Sequence, residues 1–260
     1  MKISICITNH NQNDLVKQTI DILEYQYQKP EYIFVCSDDK PFKTKDPKVI
    51  CINKSNDPMN TVIKEFIDTD SDALLFINGD SYPKEKDFLI KYEDLFEKYD
   101  LVIGTKENIK NKNKIENPFV DKWENAKTFT EKLDLITEMN GFTSNFGITR
   151  TGLMKYLKFM EKHYGKRVLF DDCVNYDIAM GIDALYAGLN IWISNDIKIL
   201  QQTPDKNIVE NNRHLIMERV RNLDKITTIK DKAYTTLIIM FWVYIVGVIT
   251  GLITMAVSLQ

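Results

Sequence analysis

Asp72-Ala-Leu-Leu-Phe-Ile-Asn-Gly-Asp-Ser-Tyr-Pro83 is the stretch that decides the fold. Ala73–Ile77 is an unbroken apolar run, which reads as a strand buried on both faces rather than one half in water. It stops on Asn78-Gly79-Asp80, three turn-forming residues, two of which carry side chains with chemistry. The same unit recurs upstream. Ile3–Thr8 runs into Thr8-Asn9-His10-Asn11, Tyr32–Cys36 runs into Ser37-Asp38-Asp39, and Val49–Ile52 is a further strand. Between them, Asp14–Tyr25 places Leu15, Ile20, Ile22 and Leu23 at helical spacing, and Thr61–Ile67 reads as a short helix. Strands alternating with helices predict an α/β fold: a Rossmann-like, mostly parallel sheet flanked by helices. In such sheets ligands bind outside the carboxyl ends of the strands. The polar clusters at 8–11, 37–39 and 78–80 all fall there.

Further along, Phe88–Tyr99 predicts an amphipathic helix and Leu101–Gly104 a strand. Residues 106–118 are rich in Lys and Asn and read as a loop. Trp123–Met139 is expected to be helical, Gly141–Arg150 a turn and short strand, and Leu153–Tyr164 a helix. Asp177–Ala187 is expected to be a helix stopped by Gly188, followed by two short strands at Ile191–Ile193 and Ile197–Leu200. Cys6, Cys36, Cys51 and Cys173 show no metal-binding spacing and read as reduced thiols.

Composition divides the chain. All 34 Lys and Arg and all 37 Asp and Glu lie within residues 1–232, and residues 233–260 carry none. Leu237–Val257 is almost wholly apolar, and about 20 such residues suffice for a helix to cross a bilayer. A C-terminal transmembrane helix is therefore expected. Lys225, Lys230 and Lys232 precede it and nothing basic follows, which places the preceding residues in the cytosol. Gly247 and Gly251 form a GxxxG spacing through which a homodimer could pack. Residues 206–232, with 7 basic and 4 acidic side chains, form a basic connector suited to an anionic membrane surface. The expected organisation is a domain over 1–205, the connector over 206–232 and the anchor over 233–260. The averages exclude a disordered or collagen-like chain, and no nucleic-acid partner is expected.

Four segments in this order resemble the GT-A fold of glycosyltransferase family 2, inverting enzymes that use nucleotide-diphospho-sugars. They are Ile3–Asn11, Glu31–Asp39, Asp72–Pro83, and Tyr176-Asp177 followed by Gly188-Leu-Asn-Ile-Trp192. The resemblance covers roughly residues 1–203. It implies that Thr8, Asn9, His10, Asn11, Asp38, Asp39, Asn78 and Asp80 bind the nucleotide-sugar. Asp80 would be the ligand for a divalent cation, Mn²⁺ or Mg²⁺, which neutralises the diphosphate leaving group. The chain departs from the family where Asn78 replaces the first acid of the D-x-D motif. An inverting transfer needs one carboxylate to take the acceptor's proton. Asp171, Asp172 and Asp177 compete for that role; the spacing to Gly188 favours Asp177, leaving Asp171 and Asp172, with Asn145, for acceptor contacts. The implied donor is a nucleotide-diphospho-sugar, a UDP-sugar first, and the acceptor a lipid-linked or membrane-proximal hydroxyl. Two alternatives stay open. One is a catalytically degenerate membrane-tethered scaffold, suggested by Asn78. The other is a nucleotidyltransferase, which would want a glycine-rich phosphate loop where Thr8–Asp14 has no glycine.

Overall fold

The computed structural model describes residues 1–37, 41–53, 58–109, 119–138, 145–169, 176–202 and 218–225. The chain divides into two compact units, Met1–Asn212 and Arg213–Gln260. In the second, residues 218–225 are helical. Among the described residues no helix is long and apolar enough to cross a membrane; the span expected at 233–260 and most of the basic connector lie outside them.

The first unit is a mixed α/β layer structure. Its elements in chain order are β1 (Ile3–Asn9), α1 (Asn13–Glu24), β2 (Ile33–Ser37), β3 (Val49–Asn53), α2 (Pro58–Ile67), β4 (Ala73–Asn78), β5 (Ser81–Pro83), α3 (Phe88–Phe96), β6 (Leu101–Asn108), α4 (Phe119–Asn125), α5 (Phe129–Glu138), β7 (Asn145–Thr149), α6 (Arg150–Tyr164), α7 (Tyr176–Tyr186) and β8 (Ile191–Gln201). The eight strands form one sheet in the order β3-β2-β1-β4-β7-β6-β8-β5. β1 pairs in parallel with β2 and β4, β2 with β3, and β6 with β8. β7 runs antiparallel to both β4 and β6, and β5 antiparallel to β8.

The core follows from strand alternation. Ile3, Ile5, Ile7, Ile33, Val35, Leu75 and Ile77 pack with Val16 and Leu23 of α1 and with Phe88, Leu89 and Tyr92 of α3. Residues of the other parity include Phe76, which stacks on Phe146 at 4.6 Å. α2 packs on β2 and β3, and α6 on β7. Each such large apolar side chain, once fully buried, contributes about 1.5–3 kcal/mol.

Four elements differ from the sequence reading. β6 runs four residues past Gly104, to Asn108. The two expected strands after Gly188 are one, β8. Its register against β6 shifts between Ile103 and Thr105, so that the polar Ser194-Asn195-Asp196 is a bulge inside the strand rather than a break. The helix expected over Trp123–Met139 is two helices, α4 and α5. Thr128 and Glu131 start the second as a reciprocal cap: Thr128 N–H donates to Glu131 Oε2 at 2.8 Å, and Glu131 N–H to Thr128 Oγ1 at 3.2 Å. β5 is a short strand the sequence did not announce.

Gly188 has φ +73° and ends the α7 turn, as expected. Cys6 and Cys36 are buried free thiols, and Cys51 is free and half-buried; Cys173 lies outside the described residues. Burial, with Cys36 alongside, pushes the Cys6 thiol up from its ordinary value.

Candidate functional site

The strand order places a topological switch point between β1 and β4. From β1 the chain moves to β2 and β3 on one side, then crosses back to β4 on the other. A crevice outside the carboxyl ends of the strands is expected there. Thr8, at the end of β1, and Asn78, at the end of β4, are partners in register. Thr8 Oγ1 donates to Asn78 Oδ1 at 3.1 Å. Beyond them the Asn78–Gly79 turn is pressed onto β1, with Gly79 N–H donating to the Thr8 carbonyl at 2.7 Å. A Cβ at Gly79 would lie 2.6 Å from that carbonyl oxygen and 2.8 Å from Val16 Cγ2, so only glycine fits.

The β1 loop is built on Asn9. Its side chain is fully buried. Asn9 Nδ2 donates to Asn13 Oδ1 at 2.6 Å and to Ser37 Oγ at 2.9 Å, while Oδ1 accepts from Gln12 N–H at 3.0 Å. This Asx-type turn closes the loop, and Asn11 sits at its apex with φ +61°, a conformation asparagine tolerates better than most residues. His10 and Asn11 are exposed and Thr8 is half-buried. Of the four expected loop contacts, Thr8, His10 and Asn11 are therefore within reach of solvent, whereas Asn9 lies beneath them and ties the loop to the end of β2. Asp38 and Asp39 follow Ser37 directly and lie outside the described residues.

Asp80 is 6% exposed. Its Oδ1 accepts from the Ser81 hydroxyl at 3.2 Å, and its backbone carbonyl accepts from Gln202 N–H at 2.9 Å. That second contact comes from the curl of the sheet. β5 returns along β8 with Ser81 opposite Gln201, which brings the end of β8 against Asp80. Gln202 Nε2 in turn donates to Gln18 Oε1 of α1 at 3.0 Å. Gln201, Gln202 and Ser81 are thus neighbours of Asp80 that the sequence reading did not assign to the site. The signal for them was the end of β8, another strand terminus.

Asn145 is 2% exposed. Its Nδ2 donates to the carbonyls of Thr105, at 2.9 Å, and Ile197, at 3.2 Å, and its Oδ1 accepts from Tyr92 OH at 2.9 Å. The residue expected to face the acceptor has its amide engaged inside the sheet, where it fills the opening made by the β8 bulge. Asp177 is the second residue of α7; the backbone is helical there and its side chain is outside the described residues. Asp171 and Asp172 also lie outside them.

Among the described residues, the ends of β1 and β4 offer one carboxylate with amides and hydroxyls, all oxygen ligands of the kind that suit Mg²⁺ or Mn²⁺. Magnesium-type sites commonly use one or two carboxylates and complete the shell with substrate phosphates and water. Asp80 fits that pattern. Among the described residues no three His, Cys, Asp or Glu gather at a metal-binding distance.

No protein-family model matches the chain, and no curated protein matches it by sequence. Solved structures do. TarS of S. aureus, residues 1–349 in complex with UDP-GlcNAc, is similar with a TM-score of 0.58 and 13% identity, over 84% of this chain and 64% of that one. The mannosyltransferase PcManGT of Pyrobaculum calidifontis, in complex with GDP-Man and Mn²⁺, is similar with a TM-score of 0.51 and 11% identity, over 79% of this chain and 58% of that one. The chain therefore spans less than two thirds of the length of either structure. At these identities the likeness is one of fold, and the fold is one that solved glycosyltransferases share.

Proposed function

We propose that this chain is a metal-assisted, inverting glycosyltransferase of the family 2 type. It moves a sugar from a nucleotide-diphospho-sugar to a hydroxyl acceptor at a membrane. One observation supports the reading: the Thr8–Asn78 hydrogen bond joins the ends of β1 and β4 two residues before the buried Asp80, on a fold shared with proteins solved bound to UDP-GlcNAc and to GDP-Man with Mn²⁺.

In this reading Thr8, His10 and Asn11 meet the base and ribose, together with Asp38 or Asp39. Asn9 holds their loop against β2. Asp80 faces the diphosphate and holds a divalent cation, which supplies positive charge to the departing diphosphate. Asp177, in the first turn of α7, accepts the acceptor's hydroxyl proton as that oxygen attacks the anomeric carbon. The new glycosidic bond forms opposite the breaking bond to the diphosphate oxygen, so configuration inverts. Asp171 and Asp172 serve acceptor hydroxyls. The apolar segment 233–260 and the basic residues before it hold the domain on the cytosolic face, next to a lipid-linked or membrane-proximal acceptor.

A panel of UDP- and GDP-sugars, titrated into the full chain with Mn²⁺ and followed by calorimetry, tests the donor half. Saturable binding of one nucleotide class is expected, and binding of none would sink the reading. Partition into detergent or membranes is expected for the full chain, and quantitative recovery in detergent-free buffer would remove the anchor. A second reading, a sugar-nucleotide-binding protein without transfer, is favoured by the amide at Asn78. It predicts the same binding with no turnover.

A further inference from the structure

From Ile178 to Leu185 every residue of α7 is buried, and all but one are apolar or glycine. The exception is Asp183, which is 0% exposed. A carboxylate is costly to bury and persists where hydrogen bonds hold it. Two tyrosines of α6 do so. Tyr164 OH donates to Asp183 Oδ1 at 3.1 Å, and Tyr156 OH lies 3.5 Å from Oδ2. The buried Tyr156 hydroxyl also donates to the Leu169 carbonyl at 3.2 Å, so its one proton is shared between two acceptors. Leu169 N–H in turn donates at 2.9 Å to Oδ1 of Asn60, a buried residue in the first turn of α2. One buried polar network therefore touches α2, α6 and α7.

Apolar burial is non-directional. A wholly apolar α7 would pack in neighbouring registers at similar free energy, and a slip of one residue moves a helix about 1.5 Å along its axis and turns it about 100°. Bonds from two tyrosines to the two oxygens of one carboxylate set both height and rotation. Fixing register is the best-attested use of a polar group buried between helices. Asp177 lies in the first turn of the same helix, six positions before Asp183. We infer that Tyr156, Tyr164 and Asp183 are positioning residues, which fix α7 and thereby the place of Asp177. The inference rests on the reading of Asp177 as the base. It ties the network to the rate of transfer and not to nucleotide-sugar affinity, because Thr8, Asn78 and Asp80 lie at the ends of β1 and β4, on other elements. A misplacement of about 1 Å at a reacting group can cost about 10²-fold in rate.

The test uses the full chain in detergent with Mn²⁺ and a panel of UDP- and GDP-sugars, and measures kcat, KM and calorimetric binding of the sugar nucleotide. Tyr156→Phe removes one hydroxyl and leaves the ring. Asp183→Asn keeps the shape and replaces one acceptor oxygen by an NH₂. Both are read at temperatures where the variant is folded, and where Asp183→Asn does not fold, Tyr156→Phe decides. Each is expected to lower kcat by about tenfold or more, with sugar-nucleotide affinity and binding stoichiometry within about twofold of wild type. Loss of folded protein would lower stoichiometry and turnover together, so this split separates positioning from stability. In an Asp177→Asn background, Tyr156→Phe is expected to change the residual turnover by less than about twofold, because the group it positions is gone. The inference is overturned if either folded variant turns over at the wild-type rate, if sugar-nucleotide affinity falls in step with kcat, or if Tyr156→Phe costs as much in the Asp177→Asn background as it does alone. If wild type turns over no sugar nucleotide, or Asp177→Asn matches wild type, the reading of Asp177 as the base falls and takes the inference with it, which is a distinguishable result.

Discussion

Asn9 and Ser37 are joined by a buried side-chain hydrogen bond of 2.9 Å, which adds to the parallel pairing at the ends of β1 and β2. Ser37 is the residue that precedes Asp38-Asp39 in the sequence. Replacing Asn9 by Ala strands the Ser37 hydroxyl, Asn13 and the Gln12 amide. A buried polar group left without its partner costs about 1–3 kcal/mol. Asn9→Ala is expected to lower unfolding free energy by an amount in that range and to weaken nucleotide binding. Asn9→Asp is expected to be worse, because it places an anionic oxygen against Asn13 Oδ1, now at 2.6 Å from Nδ2. Urea unfolding and calorimetric titration check both.

Gly104 is fixed by the same kind of packing. A Cβ there would lie 2.2 Å from Asn145 Nδ2 and 2.7 Å from the Ile197 carbonyl oxygen. Backbone on one side and a thrice-bonded amide on the other leave nothing able to move. Gly104→Ala is expected to destabilise by at least the roughly 1–3 kcal/mol of ordinary overpacking. Asn145→Ala is expected to destabilise comparably, through the loss of its bonds to Thr105, Ile197 and Tyr92. Thermal denaturation of the two variants is the measurement.

Arg150 is a clamp whose removal should spare the crevice. Its guanidinium donates to the carbonyls of Ser71, at 2.7 Å, Ile67, at 3.0 Å, Phe66, at 3.0 Å, and Thr69, at 2.8 Å, and it lies 4.6 Å from the centre of the Phe66 ring. These bonds fasten the turn between α2 and the start of β4, at the end of the strand away from Asn78. A lysine has one nitrogen and cannot reproduce the fork. Arg150→Lys is expected to cost about 2–3 kcal/mol, the scale of bonds to a charged group, with nucleotide affinity unchanged. A matching loss of nucleotide binding at temperatures where the variant is folded would contradict this.

Glu107 carries a pH-dependent contribution. The Lys84 ammonium, hydrogen-bonded at 2.6 Å, holds its carboxyl below the usual carboxylate range, and Lys198, at 3.6 Å, adds to this. A carboxylate whose pKa is lowered by folding stabilises the native state above its unfolded value, about 4.3 for Glu. That stabilisation is lost as pH falls through the lower folded value. Glu107→Gln is therefore expected to be less stable than wild type at pH 7, with the gap closing below about pH 4. Denaturant curves for both proteins from pH 7 to pH 3 check the convergence.

The central strands were legible because β1, β2 and β4 are buried on both faces and read as continuous apolar runs ending in turn residues. β5 was not legible: three residues ending in Pro83 carry no periodicity, and the strand exists because the curled sheet brings β8 alongside it. The β8 bulge was hidden for a related reason. Ser194-Asn195-Asp196 has the composition of a loop, and the bonds that hold it inside the strand are partly tertiary: the Asn145 amide and the Thr105 hydroxyl both donate to the adjoining Ile197 carbonyl, while Asp196 N–H donates to Ser194 Oγ. The split between α4 and α5 was written in Thr128-x-x-Glu131, a capping signal inside an otherwise helical stretch. The strand-end rule pointed to the clusters at 8–11, 37–39 and 78–80, of which residues 8–11, 37 and 78–80 are described. It could not separate residues that reach solvent from one such as Asn9, whose amide holds the backbone together; Asn145, named from the family resemblance, is likewise bonded into the sheet. The rule also missed Gln202, whose contact with Asp80 is purely tertiary.

The most direct test of glycosyl transfer is turnover of a UDP- and GDP-sugar panel by the full chain with Mn²⁺, comparing wild type with Asp177→Asn and Asp80→Ala. Wild type is expected to hydrolyse or transfer from one donor class, and Asp177→Asn to lose about 10²-fold or more, the lower scale of general-base catalysis. Asp80→Ala should likewise be impaired. Turnover in both variants equal to wild type, or no turnover of any donor that binds, would contradict glycosyl transfer.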